Sequence, residues 1–333
     1  MSEGPHTVVD MSTSAHTLAP ADPAPDGPAP APAALPALPV QAVADLPLPV
    51  LGSLSPSRAG DFMTCPLLYR YRTIDRLPQT PSPAATRGTL VHAVLERLFD
   101  LPRGERTPQA AADLLAPEWE RLRETEPEVA GLFADQGELT SWLTSARGLL
   151  DGYFALEDPQ RLDPAERECF VEVVLPGGLR LRGIVDRVDV APTGAVRVVD
   201  YKTGRSPGPA FEGKALFQMK FYALVLWRTR GEIPALLQLM YLGDREVLRY
   251  SPDEDDLLAT ERKLLALWQA IERATQAREF LPHPSRLCEW CDHQALCPAF
   301  GGEALPWPAV LPDPGALIPH HAAHAARVSG GSG

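Results

Sequence analysis

Gly183-Ile184-Val185-Asp186-Arg187 and Val198-Val199-Asp200-Tyr201-Lys202-Thr203-Gly204 are the two stretches that decide the fold. An alternating apolar run (Leu179, Leu181, Ile184, Val185) leads to Asp186, and Val196-Arg197-Val198-Val199 leads to Asp200. Between them, Ala191-Pro192-Thr193-Gly194 is a turn signal, so the two runs read as a hairpin. Asp200 and Lys202 are two apart, so both side chains leave the same face of a strand. With Asp186 opposite, two carboxylates can hold a divalent metal with an ammonium beside them. That set suits hydrolysis of a phosphodiester: the metal polarises a phosphoryl oxygen and acidifies a water, and the lysine steadies the developing charge.

Helical patterns precede the hairpin at about 57–72, 87–100, 109–124 and 138–156. Strand patterns lie at about 168–175, 179–190 and 195–202, followed by a helix at 210–230, strands at 235–242 and 245–250, and a long helix at 253–278. This order predicts a mixed α/β core with a helical insertion. Residues 1–50 hold 11 of the 36 prolines and 11 alanines, a composition expected to stay disordered. The expected domain division is a tail over 1–52, one folded domain over 53–301 and a second tail over 302–333.

The 333 residues carry a net charge of −12, which weighs against a broadly basic nucleic-acid binder. A local exception is residues 57–92, where Arg58, Arg70, Arg72, Arg76 and Arg87 face two aspartates. There Tyr69-Arg70-Tyr71-Arg72 interleaves rings with cations, a pattern suited to stacking single-stranded DNA; inward-packed tyrosines are the alternative. No apolar run of about 18 residues marks a membrane span, and no secretory signal is evident at the N-terminus. No G-x-x-x-x-G-K-S/T loop marks an ATP motor. Five cysteines, three of them close together, suit metal ligation in a reducing compartment, so the expected location is cytoplasmic.

Four blocks in order carry a family resemblance: Arg87-Gly88-Thr89-Leu90-Val91-His92-Ala93-Val94-Leu95-Glu96, Gly183 to Asp189, Asp200-Tyr201-Lys202-Thr203-Gly204, and Gln218-Met219-Lys220-Phe221-Tyr222-Ala223-Leu224. Together they resemble the PD-(D/E)xK nuclease superfamily in its RecB-like exonuclease branch, over most of residues 53–300. The resemblance implies a restriction-endonuclease-like mixed sheet flanked by helices. It also implies that His92, Asp186, Asp200 and the Tyr201 carbonyl ligate Mg2+ or Mn2+. Lys202 would be the catalytic lysine, with Gln218 and Tyr222, at i and i+4 on one helix face, positioning it and contacting DNA.

Cys288-Glu289-Trp290-Cys291 is a C-x2-C pair, and Cys297 follows after five intervening residues. Thiolates so spaced can wrap one metal centre, with Cys65 as a distant fourth ligand. From spacing alone a structural Zn2+ site is equally good chemistry. The layout resembles RecB-like nucleases of the AddB type and CRISPR-associated four-cysteine exonucleases, which implies a 4Fe–4S cluster stapling the two ends of the domain. Cys169, within a strand pattern, is expected to be structural.

The expected function is therefore a metal-dependent DNA exonuclease acting at single-stranded ends in recombination and repair, with a helicase as a possible partner and no use of ATP. The alternatives are a CRISPR-type spacer-processing nuclease and a non-catalytic DNA-binding subunit of a helicase–nuclease complex.

Overall fold

The computed structural model describes residues 52–208, 212–309 and 311, so residues 1–51 and 312–333 of the expected tails lie outside it. The chain runs β1 (Gly52–Leu54), α1 (Pro56–Thr64), α2 (Pro66–Tyr69), α3 (Pro83–Leu98), α4 (Pro108–Thr125), α5 (Gln136–Leu156), β2 (Glu166–Val174), β3 (Leu179–Val190) and β4 (Val196–Lys202). Then come α6 (Glu212–Arg230), β5 (Leu236–Tyr241), β6 (Glu246–Tyr250) and α7 (Glu254–Ala277). Polar residues start the helices: Ser55, Ser82, Thr107, Asp135 and Asp253 each accept a backbone N–H of the first turn.

Six strands form one mixed sheet. β3 and β4 are the expected antiparallel hairpin, from Arg187↔Val199 to Val190↔Val196, closed by Gly194 at φ 86°. β5 runs parallel to β4, which requires the α6 crossover, and β6 returns antiparallel. β2 covers one edge of β3 from Arg180 to Val188. The other edge is shared: β1 pairs in parallel with Leu179 to Leu181, and β4 pairs with Arg187 to Val190. A gap is left between them at residues 182–186.

Alternation on β4 and β5 divides the interior into two cores. Val198, Leu237 and Leu239 join α6 and α7 on one face. Val199, Tyr201 and Met240 join α3, α4 and α5 on the other. The alternation of β3 slips once. Leu179, Leu181 and Val185 enter the first core, and so does Val188, which is three residues on rather than two or four. Across from the slip, Glu168 of β2 has φ 44°, a left-handed conformation rare for a residue with a Cβ.

One sequence expectation needs correction here. The helix expected over 57–72 breaks at Cys65, whose backbone is extended (φ −161°, ψ 116°), because Pro66 disfavours a helical residue before it. Within the stretch expected as a tail from 302, Arg70 Nη2 donates to the carbonyls of Leu305 (2.8 Å) and Pro306 (2.9 Å), and Trp307 stacks on Phe280. Among the described residues, no helix is long and apolar enough to cross a membrane.

Candidate active site

Towards the Lys202 end of the hairpin, the last paired residues are Arg187 and Val199. One step further, Asp186 faces Asp200, and a side chain takes over from the ladder: Asp186 Oδ2 accepts the Tyr201 N–H at 2.7 Å. The β2–β3 register sets Glu168 opposite Asp186 in the same way. Three neighbouring strands thus contribute a row of carboxylates: Glu168, Asp186 and Asp200. His92 reaches this row from α3. Its Nε2 lies 3.0 Å from the Tyr201 carbonyl oxygen, and its Nδ1 lies 3.5 Å from Asp186 Oδ2 and 3.9 Å from Glu168 Oε1. Ligand atoms of His92, Glu168 and Asp186 all fall within 4.8 Å of one another, close enough to share one ion.

The opposite end of the row is built from β4 and α6. Lys202 Nζ is 2.5 Å from Asp200 Oδ2 and donates to Gln218 Oε1 at 2.9 Å. Gln218 Nε2 in turn donates to Asp200 Oδ1 (2.8 Å) and to the Tyr222 hydroxyl (3.1 Å). The i, i+4 spacing on α6 therefore does place Gln218 and Tyr222 together. Gly183 lets them approach the sheet gap: a Cβ there would stand 2.7 Å from the Tyr222 ring. Every residue expected at the hydrolytic site is thus brought into one cluster.

Its electrostatics are those of an acidic site balanced by two cations. Burial and the Asp186 charge push the Asp200 carboxyl up to about 6, against the opposing pull of Lys202. Burial also raises Asp186, but His92, Lys202 and the Tyr201 N–H outweigh it and hold the carboxyl below its usual range. Burial lowers His92, yet Asp186, Glu168 and Asp200 together lift it to about 9. Lys202 is likewise raised, because Asp200 and Asp186 outweigh its burial. A proton on His92 and the Lys202 ammonium therefore occupy a region rich enough in oxygen donors for a hard divalent cation.

The four cysteines meet elsewhere. Cys65, Cys288, Cys291 and Cys297 line one cavity of about 50 Å3 with Tyr71, His283, His293 and Phe300. All four are free thiols. The break at Pro66 turns Cys65 towards the C-terminal segment, where its sulfur accepts the His283 N–H at 3.3 Å. No three of these sulfurs lie within 4.8 Å of one another. Around a tetrahedral zinc with Zn–S near 2.3 Å, sulfurs sit about 3.8 Å apart. Cys169 is apart from this group and bonds Glu166; burial pushes its thiol up to about 12.

A profile of the PD-(D/E)XK nuclease superfamily matches residues 53–298, spanning both clusters. The chain belongs to this superfamily. Its curated relatives include the Gene 69 proteins of Mycobacterium phages D29 and L5. Each is 27% identical over 74% of this chain and 96% of the relative. Among solved structures, a Eubacterium rectale protein whose description as an exonuclease is provisional superposes with a TM-score of 0.51. It is 13% identical and covers 78% of this chain and 91% of its own. That likeness shows the restriction-endonuclease-like fold expected from the sequence, with its six-stranded mixed sheet flanked by helices. Nucleases of this superfamily use divalent metals, and the donor set around Asp186 fits that chemistry.

The nuclease differs from the sequence reading in two further places. Tyr69 and Tyr71 are 4% and 2% exposed and do not offer a stacking surface. Tyr69 packs on Phe280, Tyr71 donates to the Leu296 carbonyl, and Arg72 pairs with Asp61. The tyrosines fill the core because the segment is buried on more than one side where α2 passes into a π-helical turn at Arg70–Ile74, with Leu67, Arg70 and Ile74 buried beside them. The second difference is Glu168, which the sequence reading did not single out. The register of β2 against Asp186 was its signal. Glu172, four residues on, instead pairs with Arg180.

Proposed function

We propose that this nuclease is a metal-dependent DNA exonuclease of the RecB-like branch, acting at single-stranded ends in recombination and repair. The observation that carries the reading is the Lys202 ammonium, held between Asp200 and Gln218 beside the Glu168–Asp186–Asp200 row. His92, Asp186, Asp200 and the Tyr201 carbonyl would hold Mg2+ or Mn2+, with Glu168 as a further carboxylate; an imidazole ligand favours Mn2+. The bound metal would supply Lewis-acid polarisation of the phosphate and an acidified water. Lys202 positions the attacking oxygen and offsets charge on the phosphorane-like transition state. Gln218 fixes the Lys202 rotamer, and the Tyr222 hydroxyl fixes Gln218. Tyr201 holds its N–H on Asp186 and its carbonyl towards His92, so one residue sets the spacing of two ligands.

We take the group held by the four cysteines to be the 4Fe–4S cluster that the resemblance implies, with a structural zinc as the alternative. Cys65 joins Cys288, Cys291 and Cys297 at one cavity from the far end of the domain, which supports a metal centre stapling the two ends. The absence of an ATP loop in the sequence supports dependence on a pre-existing end or on a helicase partner.

The test compares end-labelled linear single strands, linear duplex and covalently closed single-stranded circles with Mg2+, Mn2+ or chelator. Metal-dependent shortening of linear strands is expected, fastest on single strands. Rapid cutting of closed circles refutes the end requirement, and no cleavage with either metal refutes the enzyme.

A further inference from the structure

His293 is a buried polar group that the hydrolytic site does not use. It is 4% exposed, and its Nε2 has no hydrogen-bond partner. It lines the same cavity as the four thiols. Its ring is held edge-on by Tyr71, centroids 5.6 Å apart at 75°, and Tyr71 is itself pinned by its bond to the Leu296 carbonyl.

A buried ring nitrogen without a partner is costly, and native proteins rarely keep one. The other polar groups around this cavity do not serve as its partner. The Tyr71 hydroxyl is committed to Leu296, and the His283 Nδ1 faces the Thr64 carbonyl at 3.2 Å. No acceptor of the described residues, the four cysteine sulfurs included, lies within hydrogen-bond distance of Nε2, so its partner belongs to whatever the cavity holds.

We propose that the His293 imidazole N–H donates a hydrogen bond to a sulfur of the group held by Cys65, Cys288, Cys291 and Cys297, and that this bond raises the group's reduction potential. The inference rests on the iron–sulfur reading above. Reduction adds negative charge to the cluster and its thiolates, so a donor aimed at sulfur stabilises the reduced form more than the oxidised one. His293 is in this sense a positioning and tuning residue, and does not ligate the metal.

The test uses full-length protein purified anaerobically, wild type beside His293→Leu and His293→Gln. Iron and sulfide per chain are measured first, then the midpoint potential by mediated dithionite titration followed by EPR. His293→Leu is expected to keep wild-type iron and sulfide but to show a more negative midpoint. His293→Gln, which returns an amide donor of similar reach, is expected to recover most of the shift. A brown wild type with an unchanged midpoint in His293→Leu overturns this inference alone. Loss of iron in both variants makes His293 a ligand and overturns the donor role. A colourless wild type with one zinc overturns the iron–sulfur reading and this inference with it.

Discussion

His92 links a proton to the metal site, and the link has a sign and a size. In the metal-free fold three carboxylates raise its pKa from the usual 6.5 to about 9. A base raised by folding contributes stability that is fully present below pH 6.5 and lost as the pH rises through 9. The difference is about 2.5 units, which corresponds to about 3 kcal/mol at most, since each unit is 1.36 kcal/mol. For a domain of this size that translates into roughly 6–12 °C of melting temperature. The assay is thermal unfolding in chelator from pH 6.5 to 9.5 for wild type and His92→Gln. The wild-type advantage is expected to shrink by several degrees across that window, whereas the titration of Asp200, near 6, falls on its acid side. Metal ligation needs the neutral imidazole and expels the same proton, so Mn2+ affinity should rise with pH up to about 9. Parallel stability curves for the two proteins would refute the assignment of His92 to the carboxylate row.

Asp200→Asn should remove a carboxylate that burial and Asp186 make unfavourable, so in chelator at pH 8 the variant should melt higher than wild type while cleaving no DNA; a lower melting temperature would mean that the Lys202 pair dominates. Glu168→Gln should weaken Mn2+ binding by about tenfold or more in calorimetry, and an unchanged affinity would remove Glu168 from the metal site. Cys65→Ala should lose the brown colour and lower the melting temperature, because it severs the thiolate link between the N-terminal helices and the C-terminal segment. Cys169→Ala should keep the colour, since its sulfur bonds Glu166 outside the cavity.

The elements were legible where local pattern and tertiary context agree. The β3–β4 hairpin and helices α4 to α7 follow from periodicity and turn residues, α3 begins four residues before the expected start because Ser82 caps it, and the matched motifs name the side chains around Asp186. What was not legible depends on partners distant in sequence. β1 is three residues long and becomes a strand only by pairing with Leu179 to Leu181. Glu168 matters only because of its register against Asp186. The ordered stretch at 305–307 depends on Arg70, more than 230 residues earlier. Tyr69 and Tyr71 carried an interleaved pattern that suggested a nucleic-acid surface. The segment is buried on more than one side, with Leu67, Arg70 and Ile74 also inside, and burial claims both rings.

The slip in β3 explains how adjacent residues serve two separate tasks. Asp186 turns its carboxylate to the row, while Arg187, fully buried, lies over the Phe99 ring in the other core. There it pairs with Glu157 and Asp189 and donates to the Tyr201 hydroxyl at 2.7 Å. Tyr201 is thus held at three points: its N–H on Asp186, its carbonyl near His92 and its hydroxyl on Arg187. A backbone carbonyl can serve as a ligand only if its peptide plane cannot rotate, and these contacts fix that plane from both ends of the residue. A strictly alternating strand would point Arg187 directly away from Asp186, without the shift that lets both reach Tyr201. The unfavourable backbone of Glu168 sits across from that shift. Strain held at this point, where three strands deliver carboxylates to one another, is what a preorganised metal site would require of the fold.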